Sequence, residues 1–64
     1  MDLLEALKTK FYPRQQVDYG EVKMFASAFA HFTKKQTFWQ VKKWQQEGKV
    51  EFMKHRGIVW FKEN

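Results

Sequence analysis

The sequence lacks cysteine altogether and has one proline, Pro13, among its 64 residues. Without cysteine, no disulfide can staple the chain and no thiolate metal site can form. Its apolar runs are a few residues long, whereas a membrane-spanning helix needs about 20. The first residues are acidic, where a signal peptide is basic. We therefore expect one small intracellular domain over 1–64 without a membrane span, since the chain is too short for a second core.

Acidic residues are scarce in the second half of the chain. Residues 1–32 carry four basic and four acidic side chains, whereas residues 33–64 carry eight basic and only three acidic ones. The whole net charge of +5 thus comes from the second half. Concentrated charge of one sign repels itself, and a polyanion is its usual partner. The alternative interpretation is an ordinary solvated surface that happens to be basic.

The residue sets that carry enzyme chemistry are also missing. The two histidines, His31 and His55, lie far apart in the sequence and have no other ligand types clustered around them. No Ser/His/Asp or Cys/His set and no glycine-rich phosphate loop occurs, and the carboxylates are scattered over predicted helix ends. We therefore predict no enzymatic activity, no metal site and no small-molecule cofactor.

The apolar spacing predicts two helices in the first half of the chain. The first runs from Asp2, its cap, to about Lys10, before Tyr12-Pro13. The second begins at a capping box formed by Asp18 and Glu21 and runs to about Ala30. A short extended piece, residues 15–17, precedes it. Four residues at helical spacing form the predicted core stripe of the second helix: Val22, Phe25, Ala26 and Phe29.

A third helix is predicted directly after the second. Thr33 and Gln36 form another capping box, so the tight turn between the helices is His31-Phe32. The helix runs to Glu47, and Gly48 follows at a position that favours a left-handed residue. At 100° per residue, one face of this helix points to the core. Its members are Thr37, Phe38, Val41 and Trp44.

After Gly48 the apolar period changes from 3.6 to 2, which predicts a β-hairpin. Its strands are residues 49–54 and 58–62, joined by the three-residue loop His55-Arg56-Gly57. We assign Val50, Phe52, Ile58 and Trp60 to the inner face of the hairpin. That assignment leaves Met53, Val59 and Phe61 on an outer face that either the first helix or residues 15–17 cover, or that forms a subunit or partner interface.

The order of these elements resembles the winged helix-turn-helix superfamily along nearly the whole chain. The most specific piece runs from the Thr33 cap through inward Val41 and Trp44 to Gln-Gln-Glu-Gly-Lys-Val, which is similar to a recognition helix passing into a wing. The resemblance implies an α+β winged-helix fold with three helices, a short N-terminal strand and a C-terminal hairpin wing (H1-S1-H2-H3-S2-wing-S3). It also implies binding of double-stranded DNA, with the third helix in the major groove and the wing on the backbone or minor groove.

The exposed face of the third helix and the hairpin tip supply the candidate DNA-binding residues. Lysine can neutralise phosphates or reach guanine, glutamine can read adenine, and Arg56 suits a narrow minor groove. An ordinary solvated face is again the alternative. The candidates are Thr33, Lys34, Lys35, Gln36, Trp39, Gln40, Lys42 and Lys43 on the helix, and Lys54, His55 and Arg56 at the tip.

Trp39 is the least ordinary of these residues, because an exposed tryptophan on a basic face loses favourable burial. It can contact DNA, pack on the first helix, or anchor a dimer or another protein. The leading hypothesis is a sequence-specific DNA-binding protein, a small transcriptional regulator in the cytoplasm or at the nucleoid. A homodimer would present two third helices to a two-fold site. The alternatives are an accessory protein of recombination or replication, and a protein-interaction module that uses Trp39, Met53, Val59 and Phe61.

Overall fold

The three predicted helices all form, with ends within one or two residues of the predicted ones. The computed structural model describes residues 2–62, so Met1, Glu63 and Asn64 of the predicted domain lie outside the described residues. The helices are α1 (Leu3–Phe11), α2 (Tyr19–Ala30) and α3 (Lys34–Gln46). No helix in this part of the chain is long and apolar enough to cross a membrane.

The start of α1 is fixed by its cap, as predicted. Oδ1 of Asp2 accepts a hydrogen bond of 2.9 Å from the backbone N–H of Glu5, which satisfies one of the donors that every helix start leaves free. The helix ends at Phe11, two residues before Pro13. Its buried face carries Leu4 and Leu7.

The predicted capping box at the start of α2 is wrong. Asp18 precedes the helix, but its side chain makes no capping hydrogen bond. The Glu21 carboxylate lies 3.2 Å from Nη2 of Arg14 and pairs with that guanidinium. A charged donor makes a stronger hydrogen bond than a neutral backbone N–H, which accounts for the carboxylate turning away from Asp18.

The predicted core stripe of α2 is correct for three of its four members. Val22 and Ala26 are fully buried, and Phe25 is partly buried against the core. Phe29 is 47% exposed, which corrects its assignment to the core. Its ring stacks on that of Phe25 with centroids 5.5 Å apart. Phe29 therefore lies outside the core and packs on the ring of Phe25, which is itself only partly buried.

The turn between α2 and α3 depends on a left-handed residue that is not glycine. His31 has φ = 58°, a conformation that histidine adopts more readily than most residues with a side chain. Its N–H donates to the carbonyl of Ser27 at 3.0 Å, and the N–H of Phe32 donates to Ala26 at 3.2 Å. These bonds close α2, so Thr33 is free to begin a new helix.

Both predicted ends of α3 are confirmed. Oγ1 of Thr33 accepts from the N–H of Gln36 at 3.1 Å, and the Gln36 side chain accepts from the N–H of Thr33 at 2.8 Å. At the other end, Gly48 has φ = 76°. Its N–H donates to Gln45 and that of Lys49 donates to Trp44, the two bonds of a Schellman motif.

In the part of the chain that the structure describes, the sheet is antiparallel and has three strands in the order β1-β3-β2. The strands are β1 (Gln16–Asp18), β2 (Val50–Met53) and β3 (Ile58–Phe61). The short strand before α2 and the C-terminal hairpin thus form as predicted. This arrangement of three helices and three strands is compatible with a winged-helix layout.

The predicted assignment of the β3 side chains to the inner and outer faces of the sheet is wrong. Val59 and Phe61 are buried, whereas Trp60 is 41% exposed and Ile58 is half-buried. The turn spans four residues, 54–57, because Met53 pairs with Ile58. A three-residue turn would pair Lys54 with Ile58 and so place Trp60 opposite Phe52. One extra turn residue shifts the register by one and exchanges the two faces of β3.

The three helices cover the inner face of this sheet, and the core lies between the two layers. The buried side chains come from every element. Those that form the central cluster are Leu4, Leu7, Val17, Val22, Val41, Trp44, Val50, Phe52, Val59 and Phe61.

Candidate functional site

The outer face of α3 carries the residues that its helical spacing predicts. Thr37, Val41 and Trp44 are buried, and Phe38 is partly buried against the core. The opposite side spans roughly 100° of arc at 100° per residue. Its members are all exposed: Lys35, Trp39, Lys42, Lys43 and Gln46. Lys34 and Gln36 are exposed in the first turn, and Gln40 is half-buried at the edge of this face.

No acidic residue occurs between Glu21 and Glu47, a stretch that includes the whole of α3. The ion pairs within residues 2–62 all lie elsewhere: Arg14–Glu21 at 3.2 Å, Lys49–Glu47 at 3.5 Å and Lys62–Glu51 at 3.1 Å. The lysines of α3 therefore form no ion pair with any described residue. No carboxylate within residues 2–62 neutralises their positive charge by a direct ion pair.

The two capping residues have limited freedom to contact a ligand. Oγ1 of Thr33 and Oε1 of Gln36 are each engaged in the capping box. The amide nitrogen of Gln36 is not needed for the cap and can still donate. The backbone N–H groups of Lys34 and Lys35, like those at the start of any helix, have no intrahelical acceptor and attract an anion.

The hairpin turn lies beside α3. Nζ of Lys54 is 5.7 Å from the centre of the Phe38 ring, within the range of a cation–π contact. Phe38 in turn packs edge-on against Phe52 of β2, with centroids 6.2 Å apart. This contact joins the predicted tip residues to the predicted helix residues. His55 and Arg56, next in the turn, are exposed.

Trp39 divides this surface in two. On one side lie Lys35 and Lys42, next to Phe38 and the hairpin turn. On the other side is a shallow cleft of about 290 Å³, lined by Phe32, Gln36, Trp39, Gln40 and Lys43. Trp39 is 63% exposed, so the alternative that it packs on the first helix is wrong. Among residues 2–62 its one ring contact is edge-on with Phe38, at 6.1 Å between centroids.

The predicted partner interface of Met53, Val59 and Phe61 is wrong, because Val59 and Phe61 are core residues. The outer face of the sheet instead carries Met53, Ile58 and Trp60. Their cross-strand neighbours on that face are Gln16 and Asp18 of β1 and Glu51 of β2. Sequence reasoning missed Trp60 as a surface residue, and the length of the turn was the signal that could have placed it.

A second aromatic contact links α2 to the hairpin. The rings of Tyr19 and Phe52 are 4.9 Å apart, and Nζ of Lys23 lies 5.1 Å above the Tyr19 ring. Burial raises the pKa of the Tyr19 phenol above its ordinary value of 10.0. The aromatic row Tyr19, Phe52 and Phe38 thus runs from α2 across β2 to α3.

The described residues contain no cluster of three or more histidine, aspartate or glutamate side chains that could hold a metal ion. Comparison with known protein families, with curated proteins and with solved structures finds no match for this chain. Its own geometry is therefore the basis for a functional proposal.

Proposed function

We propose that this chain is a winged-helix protein that binds double-stranded DNA through α3 and the turn between β2 and β3. The observation that carries the proposal is the cationic face of α3, free of carboxylates and flanked by the cations of the hairpin turn. Six exposed basic side chains belong to this surface: Lys34, Lys35, Lys42, Lys43, Lys54 and Arg56. A surface of this kind matches the phosphate backbone.

The dimensions of α3 suit the major groove. Its 13 residues make a rod about 20 Å long at 1.5 Å per residue, and B-DNA has a major groove about 12 Å wide. With the exposed face inward, Lys35 and Lys42 meet phosphates, and the amides of Gln40 and Gln46 reach base edges. The turn then lies against the flanking backbone, where Arg56 can enter a narrow minor groove.

Sequence-specific binding, as a transcriptional regulator requires, depends on those base-edge contacts. An accessory protein of recombination or replication would use the same surface. A homodimer would present two copies of α3 to a two-fold site.

The test is binding to a labelled random-sequence duplex, followed by fluorescence anisotropy as the salt concentration varies. If all six cations meet phosphates, the slope of log K against log salt is about −5, at −0.9 per phosphate. Affinity then falls about 10³-fold between 50 and 200 mM salt. Replacing Lys35 and Lys42 by alanine should make the slope shallower by about 1.8.

The matched control replaces Lys8 and Lys10, two exposed lysines in α1, by alanine. This variant has the same net charge as the α3 variant but leaves the proposed surface intact, so its salt slope should stay at the parent value. The proposal is refuted if the parent protein binds no duplex at low salt. It is also refuted if the two double variants lose affinity and slope equally, because binding would then follow net charge rather than α3.

A further inference from the structure

The cleft between Phe32 and Trp39 has the composition of a nucleobase site. Phe32 follows the left-handed His31 and Trp39 lies in the second turn of α3, so the two aromatic side chains come from different segments and line one surface. Aromatic side chains take up nucleobases by stacking, which every base allows because each has two π faces.

The rim of the cleft supplies the polar groups that a nucleotide needs. The half-buried amide of Gln40 offers both a donor and an acceptor for the edge of a base. The Gln36 amide nitrogen is a further donor, since only its Oε1 is engaged in the cap. The exposed ammonium of Lys43 can meet the phosphate attached to the same nucleotide.

Charge identifies the occupant as a nucleotide rather than an apolar side chain of a partner protein. Trp39 has lysines at i−4, i+3 and i+4, namely Lys35, Lys42 and Lys43, and none of them has an ion-pair partner in the described part of the chain. An apolar side chain that filled the cleft would partly desolvate the Lys43 ammonium that lines it and would leave that charge unpaired. A nucleotide brings an aromatic ring and an anion together.

A base inside a paired duplex has both faces covered by its neighbours, so it cannot stack on Trp39. We propose that the cleft takes one unstacked nucleobase, supplied by an extrahelical nucleotide in a duplex or by a single strand. This inference rests on the proposed DNA binding by α3. It adds that the protein prefers DNA with an unpaired base over the same DNA fully paired.

The test compares three labelled DNAs of one sequence: a paired duplex, the duplex with one extra unpaired thymine, and the single strand. Tryptophan fluorescence is read in a Trp60→Phe background, because Trp60 is the other exposed tryptophan and Trp44 is buried. DNA with an unpaired base should bind about 5- to 150-fold more tightly than the paired duplex, the range for stacking on one aromatic ring. Its binding should quench the Trp39 emission.

The decisive variant is Trp39→Leu, which keeps an apolar side chain but removes the stacking face. Because Trp39 is largely exposed, this variant should fold, which circular dichroism checks. It should lose more affinity for the two DNAs with unpaired bases than for the paired duplex, so that the preference for unpaired bases disappears. Preference for the bulged duplex identifies an extrahelical base as the source, and preference for the single strand alone identifies a single strand.

Three results would overturn the inference, and they differ in whether they also reject duplex binding by α3. Equal affinity for all three DNAs, or an equal loss on paired and unpaired DNA in Trp39→Leu, rejects the base site but leaves duplex binding by α3 intact. No binding to any of the three DNAs at low salt rejects the proposed function together with it.

Discussion

Two substitutions at adjacent positions can test which side chains of β3 face the core and which face outward. Val59 is fully buried and Trp60 is 41% exposed. Val59→Thr keeps the side-chain shape but introduces a hydroxyl into the core. Trp60→Lys introduces a charge on the outer face, directly opposite Glu51 on β2. With the register shown here, Val59→Thr should be the more destabilising substitution. If the register of the hairpin were shifted by one residue, Trp60→Lys would be the more destabilising one.

The structure sets the size of each effect. A buried hydroxyl without a partner costs about 1–3 kcal/mol in proteins. In a domain of this size, 1 kcal/mol lowers the melting temperature by about 4–8 °C, so Val59→Thr should lower it by roughly 5–20 °C. Trp60→Lys should cost less than about 1 kcal/mol, because the lysine stem still covers the sheet and its ammonium faces a carboxylate.

Thermal unfolding followed by circular dichroism, with urea unfolding as a second measure, distinguishes the two registers. With a three-residue turn, Trp60 would lie opposite Phe52 in the core, and an ammonium there would prevent folding. If Trp60→Lys fails to fold while Val59→Thr melts with the parent protein, then Val59 does not face the core and Trp60 does.

Three further predictions concern the ends of the helices and the aromatic row. Thr33→Ala should cost about 1 kcal/mol in urea unfolding and Thr33→Ser much less; equal losses would mean that the cap hydroxyl is not used. Gly48→Ala should destabilise, because φ is 76° there, whereas Gly20→Ala, with open space at its Cβ position, should stabilise by roughly 0.4–1 kcal/mol. Since burial raises the pKa of Tyr19, the folded state favours the neutral phenol. The resulting stability is present below pH 10.0 and is lost as the pH rises through the raised pKa; Tyr19→Phe should show a smaller alkaline loss in thermal melts.

The helix ends were predictable because their hydrogen bonds join residues close in sequence. The Asp2 cap, the Thr33–Gln36 box and the Gly48 stop each depend on groups within five residues of one another. The box at Asp18 failed for a non-local reason, since Arg14 competes for the Glu21 carboxylate. The sequence pattern identifies a possible capping box. It does not show that a residue outside the box binds one of its side chains more strongly.

The faces of β3 were not predictable, because its sequence is apolar on both sides. Ile58, Val59, Trp60 and Phe61 contain no polar residue to mark the solvent face. The turn length was then the only determinant, and an error of one residue reversed the result. In a strand that is apolar on both sides, the local sequence pattern does not show which side chains face the core.

The exposed face of α3 was predictable from 100° spacing, but its surroundings were not. The contact of Lys54 with Phe38 joins residues far apart in the sequence. The cleft beside Trp39 depends on the turn at His31, where no glycine signals a left-handed residue. The sequence thus predicts which side chains are exposed on this helix, and the tertiary structure decides what they face.

The Schellman motif at Gly48 has a mechanical consequence. Only three residues separate the end of α3 from the start of β2, and the N–H groups of all three are hydrogen-bonded to the last turns of the helix. Such a joint has no hinge, so helix and hairpin meet a partner as one stiff body. Binding to a preformed surface loses little conformational entropy. The partner must therefore adapt its shape to that of the protein. Under the proposed function, the protein's selectivity among DNA sequences includes how readily each sequence bends to fit this surface.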